Sequence, residues 1–176
     1  MEIRPITREE FGGREYRYRY TTNGYYDIVR TESGFSVEFK PLNREELIDD
    51  VSDTMLDDWL DDPQAYGAFD GGELIAFAEG YLEKWNNRYW IANIHVFDDA
   101  YRGLGIGSQL MAKMLGEAER AGARMAVLET QNSNVKAIAF YKKQGFELIG
   151  FDLYAYSDTD PEKHNIRLLM GKKLHN

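Results

Sequence analysis

Between Glu15 and Arg30 the stretch EYRYRYTTNGYYDIVR sets aromatic side chains between charged ones, a polar and apolar alternation with a period of two. That period predicts strands with one covered and one solvated face. Asn23-Gly24, a dipeptide that favours a tight turn at positive φ, predicts a hairpin there, and GFSVEFKPL predicts a further strand. The spacing then lengthens. Behind Asn43, with Glu46 three residues on, Leu47, Ile48, Val51, Met55, Leu56, Trp59 and Leu60 recur at helical intervals, which predicts a helix over 43–62 stopped by Pro63. Further on, turn residues at Asp70-Gly71-Gly72 and Asn86-Asn87 cut AYGAFDGGELIAFAEGYLEKWNNRYWIANIHVF into three strands.

Leu110, Met111, Met114, Leu115 and Ala118 predict a helix beginning near Ser108, with Gly122 placed as its C-terminal cap. Met125 to Leu128 is a short apolar run, as in a strand covered on both faces. A helix over about 134–144 ended by Gly145 follows, and then strands in FELIGFDLYAY and NIRLLMGKKL. Antiparallel strands first, then strand, helix, strand, helix, strand, predict an α/β domain on a mixed sheet. At 176 residues the chain has the length of a single domain, divided into N-terminal strands (1–42), an acidic helix (43–62), a core (64–150) and C-terminal strands (151–176).

The net charge of −9 argues against a nucleic-acid partner. Its distribution is uneven, because Glu45 to Asp62 holds nine acids (Glu45, Glu46, Asp49, Asp50, Asp53, Asp57, Asp58, Asp61, Asp62) and no base. Removing those nine leaves 21 acids against 21 bases in the rest. Such a run is suited to a solvated face or to drawing in a cation. With no cysteine there is no thiolate site, and only His95, His164 and His175 remain as imidazole ligands, so no catalytic metal is expected. The charged start MEIRPITREE and the lack of a long apolar run imply neither signal peptide nor membrane span, hence a cytoplasmic protein. The tyrosine-rich hairpin suits a second copy of the chain as well as its own sheet, which leaves a homodimer open.

Residues 102–108 read RGLGIGS, with Gly103, Gly105 and Gly107 just ahead of a helix. A helix N-terminus offers unpaired N–H groups, and glycines before it allow positive φ and a close approach, so the stretch is suited to a phosphate. The spacing is GxGxG, not the GxGxxG of dinucleotide sites, and Gly107 is followed by Ser108 where a P-loop has lysine. A dinucleotide-binding oxidoreductase survives only through Glu129, placed about 20 residues on like a ribose-binding acid.

Arg102, Gly105 and Gly107 spell RxxGxG, and NxxAxxFYxxxGF follows at Asn134, Ala137, Phe140, Tyr141, Gly145 and Phe146. Together they resemble the acetyl-CoA-binding core of the GNAT N-acetyltransferase superfamily, and LETQNSNVKAIAFYKKQGF with EKWNNRYWIANIHV is most similar in appearance to streptothricin acetyltransferases. The resemblance implies an α/β GNAT-like fold, a central mixed, mostly antiparallel twisted sheet of about six to seven strands flanked by about four helices. It also implies acetyl-CoA as cofactor, with Ile94, His95 and Val96 along the pantetheine arm and Arg102, Gly103, Leu104, Gly105, Ile106, Gly107 and Ser108 at the phosphates. Asn134 would meet the pantetheine end and Tyr141 would protonate the leaving thiolate. Glu129, twelve residues before the tyrosine, is the candidate base, with His95 as rival because imidazole titrates near neutrality. Streptothricin-type relatives tend to carry acids where this chain has Ala92 and Asn93. The implied activity is acetyl transfer to a primary amine of a small cationic acceptor, such as a streptothricin-like antibiotic, a polyamine or a basic peptide. A peptide N-terminal acetyltransferase and a non-catalytic acyl-CoA sensor are the alternatives.

Overall fold

The computed structural model describes residues 1–174; the side chains of Tyr18, Asp49, Asp50 and Val51, together with His175 and Asn176, lie outside the described residues. Contacts divide the chain into two compact units, neither contiguous in sequence: residues 1–18, 51–128 and 172–176, and residues 19–50 and 129–171.

In the first unit the strands follow the spatial order β1 (Glu2–Pro5), β4 (Gln64–Asp70), β5 (Glu73–Glu83), β6 (Arg88–Val96) and β7 (Met125–Gln131), the last of which continues into the second unit. All neighbours are antiparallel except β6 and β7, whose parallel register runs from Arg88↔Met125 to Trp90↔Val127. The apolar run of β5 is buried from Leu74 to Gly80, as expected of a strand covered on both faces. Helix α2 (Ile106–Arg120) packs on β4, β5 and β6, burying Ile106, Leu110, Met111, Met114 and Ala118, and Gly122 at φ 66° ends it. Ile6, Tyr16, Met55, Leu56, Ala65, Phe69, Leu74 and Phe77 form a contiguous core cluster. Each large apolar side chain fully buried there contributes about 1.5–3 kcal/mol. The hydrophobic pattern gave no warning of β1 or of the one-turn α1 (Arg8–Phe11), which begins in a capping box: Thr7 Oγ1 accepts from Glu10 N–H at 3.3 Å while Glu10 Oε2 accepts from Thr7 N–H at 3.1 Å.

Two expectations are overturned. The hairpin does not turn at Asn23-Gly24. Strand β2 (Glu15–Thr31) runs straight through that dipeptide, and the chain reverses at Glu32-Ser33 into β3 (Gly34–Thr54). Gly24 serves close approach instead of a turn, since a Cβ there would come within 2.5 Å of the Phe39 ring and 2.6 Å of the Lys40 carbonyl. Nor is 43–62 a helix, because β3 extends to Thr54 and turns follow. A helix there would stack acids four apart, Glu45 on Asp49, Asp57 on Asp61, Asp58 on Asp62, with no base between Glu45 and Asp62 to offset them. Of the apolar stripe, Met55, Leu56 and Leu60 are buried, whereas Leu47 and Trp59 are exposed.

The second unit contains most of the β2–β3 ribbon, α3 (Val135–Lys143), β8 (Glu147–Asp152) and most of β9 (Arg167–Lys173), with β8 and β9 antiparallel. Asn132, almost wholly buried, ties it together. Its side chain accepts from Ile166 N–H at 2.9 Å and donates to the Tyr26 carbonyl at 2.9 Å, while its backbone bonds the same two residues. Among the described residues the α-helices number three, with a 3-10 turn at Asp99–Tyr101, against the four helices expected.

Candidate active site

The site expected from the sequence falls on both units. In the first, β6 leads into the turn Asp99–Tyr101, capped by Asp98 Oδ1 accepting from Ala100 N–H at 2.8 Å. Arg102 follows and pairs with Asp99 at 2.8 Å. Gly103 and Gly105 then take φ of 79° and 80°, a left-handed backbone that a side chain disfavours. Gly105 is the N-cap of α2 and supplies no side-chain cap to the helix start. A Cβ added at either glycine would meet no protein atom within 4 Å. Packing therefore does not account for the glycines, and the bend forms an open cradle at the positive end of a helix. Ile106 is buried and pins the helix start, whereas Leu104 is 64% exposed. Gly107 and Ser108 lie in the first turn of α2, so the helix begins two residues earlier than the sequence implied.

Ile94, His95 and Val96 lie past the end of the parallel register with β7 and pair with Ala78, Phe77 and Ala76 of β5. An extended ligand arm binds a protein by adding alongside such a strand segment. His95 is half-buried against the Tyr16 and Phe97 rings, at 5.2 and 5.4 Å between centroids. Burial, helped by the Arg102 charge, draws its pKa down to about 4. At neutral pH the imidazole is uncharged and only weakly basic.

Opposite Asn93, and missed by the sequence reading, stands Glu79, with no exposed surface. Its carboxylate accepts from Asn93 Nδ2 at 2.7 Å and from Leu56 N–H at 2.8 Å, and burial holds its pKa above the usual carboxylate range. A single acid inside the apolar run LIAFAEG was the signal available.

In the second unit, Glu129 lies in β7 with its side chain 31% exposed. Its Oε1 accepts from the Tyr156 hydroxyl at 3.1 Å, and Oε2 lies 3.5 Å from Arg167 Nη1. Asn134 caps α3, its Oδ1 accepting from Ala137 N–H at 3.2 Å. Tyr141 sits two residues before the end of that helix, buried, and burial pushes its phenol up to about 12. His164 is stacked on Tyr25 at 3.6 Å between ring centroids. Among the described residues no cluster of three or more His, Cys, Asp or Glu could hold a metal, and no helix is long and apolar enough to cross a membrane.

Residues 25–146, which contain both sequence motifs, match the model of the acetyltransferase (GNAT) family. The chain belongs to that family. A GNAT relative, the streptothricin acetyltransferase of Escherichia coli, is 32% identical over 146 residues, spanning 80% of this chain and 76% of that protein. The crystal structure of a nourseothricin acetyltransferase superposes with a TM-score of 0.77 at 26% identity, covering 99% of this chain and 98% of the other. A likeness of fold extends to a putative streptothricin acetyltransferase from Bacillus anthracis solved in complex with acetyl coenzyme A, with a TM-score of 0.70 at 23% identity, covering 98% and 96% of the two chains. The expected α/β class and acetyltransferase activity both stand on these likenesses.

Proposed function

We propose that this GNAT protein moves the acetyl group of acetyl-CoA to a primary amine of a small cationic acceptor, by direct attack within a ternary complex. The observation that carries the reading is the cradle at residues 103–105, where two left-handed glycines face space that no protein atom fills. Backbone N–H groups of Gly103 to Ser108 would hold the diphosphate of the cofactor, and the edge of Ile94–Val96 its pantetheine arm. When bound, acetyl-CoA supplies an acetyl thioester, whose C–S bond breaks as the acetyl group passes to the amine nitrogen.

Tyr141, with its proton held to about pH 12, is the donor for the departing sulfur. An amine arrives largely protonated at neutral pH, since its ordinary pKa is about 10.4. Glu129, part-exposed and so open to water, takes that proton directly or through a water molecule. His95, drawn down to about 4, is the poorer base at neutral pH. The net charge of −9 and the acids concentrated between Glu45 and Asp62 support a cationic class of acceptor. Several of these already have partners: Glu45 lies 3.9 Å from Lys136, Asp58 4.0 Å from Arg8 and Asp61 2.9 Å from Lys84, while Asp53 accepts from the Tyr16 hydroxyl at 3.0 Å and Asp57 from the Thr54 hydroxyl. Asp58 is solvent-exposed. The likeness to streptothricin and nourseothricin acetyltransferases favours a streptothricin-type antibiotic, with polyamines and basic peptides beside it.

A thiol-release assay over a panel of amines, at low and high ionic strength, tests the proposal. Transfer to polycationic amines with kcat/KM falling as salt rises is the expected result. Tight binding of acetyl-CoA with no transfer to any amine would leave a sensor.

A further inference from the structure

Glu79 and Asn93 face one another across the β5–β6 pairing, one residue before Ile94. The Leu56 N–H that bonds Glu79 Oε2 can only donate, so whatever occupies that position must accept. An ionised carboxylate accepts at both oxygens, so the partner of Oε1 must be a donor. Asn93 can then turn only its NH2 end toward Glu79, as the 2.7 Å contact from Nδ2 has it. The amide carbonyl is thereby aimed away from Glu79. Burying a carboxylate near Asp53 and Asp57 is costly, and a neutral amide at position 79 would fill the same space without that cost. The charge therefore serves something other than packing.

We propose that Glu79 is a positioning residue which, by fixing the amide of Asn93, presents Asn93 Oδ1 as the acceptor for one N–H of the attacking amine. The proposal rests on Ile94–Val96 being the strand that carries the thioester arm. An amide oxygen has two lone pairs, so it takes the incoming N–H beside any partner it already has. Holding one N–H directs the nitrogen lone pair and favours a primary amine, which keeps a second N–H to lose.

Glu79→Gln tests this with hardly a change of shape. Leu56 N–H holds the carbonyl of the introduced amide on its own side, so the new NH2 faces Asn93 and forces the asparagine amide to flip. The expected result, with streptothricin and spermidine as probe amines, is a kcat about 10- to 100-fold lower. The KM for acetyl-CoA and the calorimetric Kd for coenzyme A should not rise, and Tm should not fall. In Glu79→Gln/Asn93→Asp the introduced NH2 donates to the new carboxylate, whose second oxygen again accepts, so kcat should recover at least about tenfold over the single variant. Asn93→Ala removes the oxygen outright and should lower kcat alike, with Glu79→Gln adding nothing on top of it. A Glu79→Gln enzyme with wild-type kcat, or losses in kcat that simply track losses in Tm, would overturn this inference alone. Wild-type protein that binds coenzyme A yet acetylates neither probe would overturn the proposed function, and this inference with it.

Discussion

Replacing Gly105 with alanine separates the strain of the cradle from its occupation by ligand. Gly105 sits at φ 80° and ψ 4°, and an added Cβ meets no protein atom within 4 Å. The cost to the free protein is therefore backbone strain alone, about 1–2 kcal/mol for an L-residue forced left-handed. In a chain of this size each kcal/mol lowers Tm by about 2–4 °C, so the ligand-free variant should melt roughly 2–8 °C below wild type. Coenzyme A at 100 times its Kd stabilises wild-type protein by about 2.7 kcal/mol, roughly 5–11 °C by the same conversion. In the variant the methyl group stands where the diphosphate must approach, so that second increment should vanish. Thermal unfolding with and without coenzyme A reads both quantities from one pair of scans. Gly116→Ala serves as control, because Gly116 lies within α2 with nothing near its Cβ position and is expected to keep the full ligand-dependent gain. A Gly105→Ala protein stabilised by coenzyme A as strongly as wild type would refute the reading of the bend as a phosphate cradle.

Tyr141→Phe should lower kcat by about 100-fold while leaving coenzyme A affinity intact, and an unchanged kcat would remove Tyr141 from the chemistry. With its phenol near 12, no alkaline decline in kcat from loss of this proton is expected below that pH. His95 has a folded-state pKa of about 4 against 6.5 when unfolded, so it stabilises the fold fully above pH 6.5 and loses that contribution as pH falls toward 4. The gap corresponds to about 3 kcal/mol at most. Chemical denaturation of wild type and His95→Asn at pH 7.5 and 4.5 should show the wild type losing the more stability, and equal losses would contradict the assigned cause. At Asn134, alanine should cost about 1 kcal/mol through the lost cap, whereas aspartate keeps the cap. If the amide also meets the pantetheine end, Asn134→Asp raises KM for acetyl-CoA, and an unchanged KM would leave Asn134 a cap only.

The elements from 64 to 173 were legible because their signals are local. Glycines at 71, 72, 103, 105, 122 and 145 take positive φ and mark the breaks, and the stripe from Leu110 to Ala118 is buried as its spacing requires. The N-terminal third was misread where the deciding forces are not local. Asn23-Gly24 carries a turn signal, yet the Phe39 ring and the Lys40 carbonyl, fifteen or more residues away, are what the glycine accommodates. The run Leu47–Leu60 has helical spacing, but repulsion among its acids disfavours the helix, and the partner β2 that offers a ladder instead is invisible in a window of that length. At the candidate site, motif spacing marked the glycine bend ahead of α2 and put Tyr141 on a helix, as in α3. It passed over Glu79, whose hydrogen bond comes from a cross-strand neighbour fourteen residues on, and it did not foresee that Tyr156 and Arg167 would engage Glu129.

Each compact unit draws on stretches from far apart in the chain, and the first one takes in residues 172–176 together with 1–18. Leu174 N–H donates to the Arg124 carbonyl at 3.2 Å, which joins the last described residue to the strand entry of β7. The second unit therefore closes only once residues up to 171 are available, and the first only once residues from 172 on have joined it. Until then the strand edge that this segment covers stays open to mispairing with other chains.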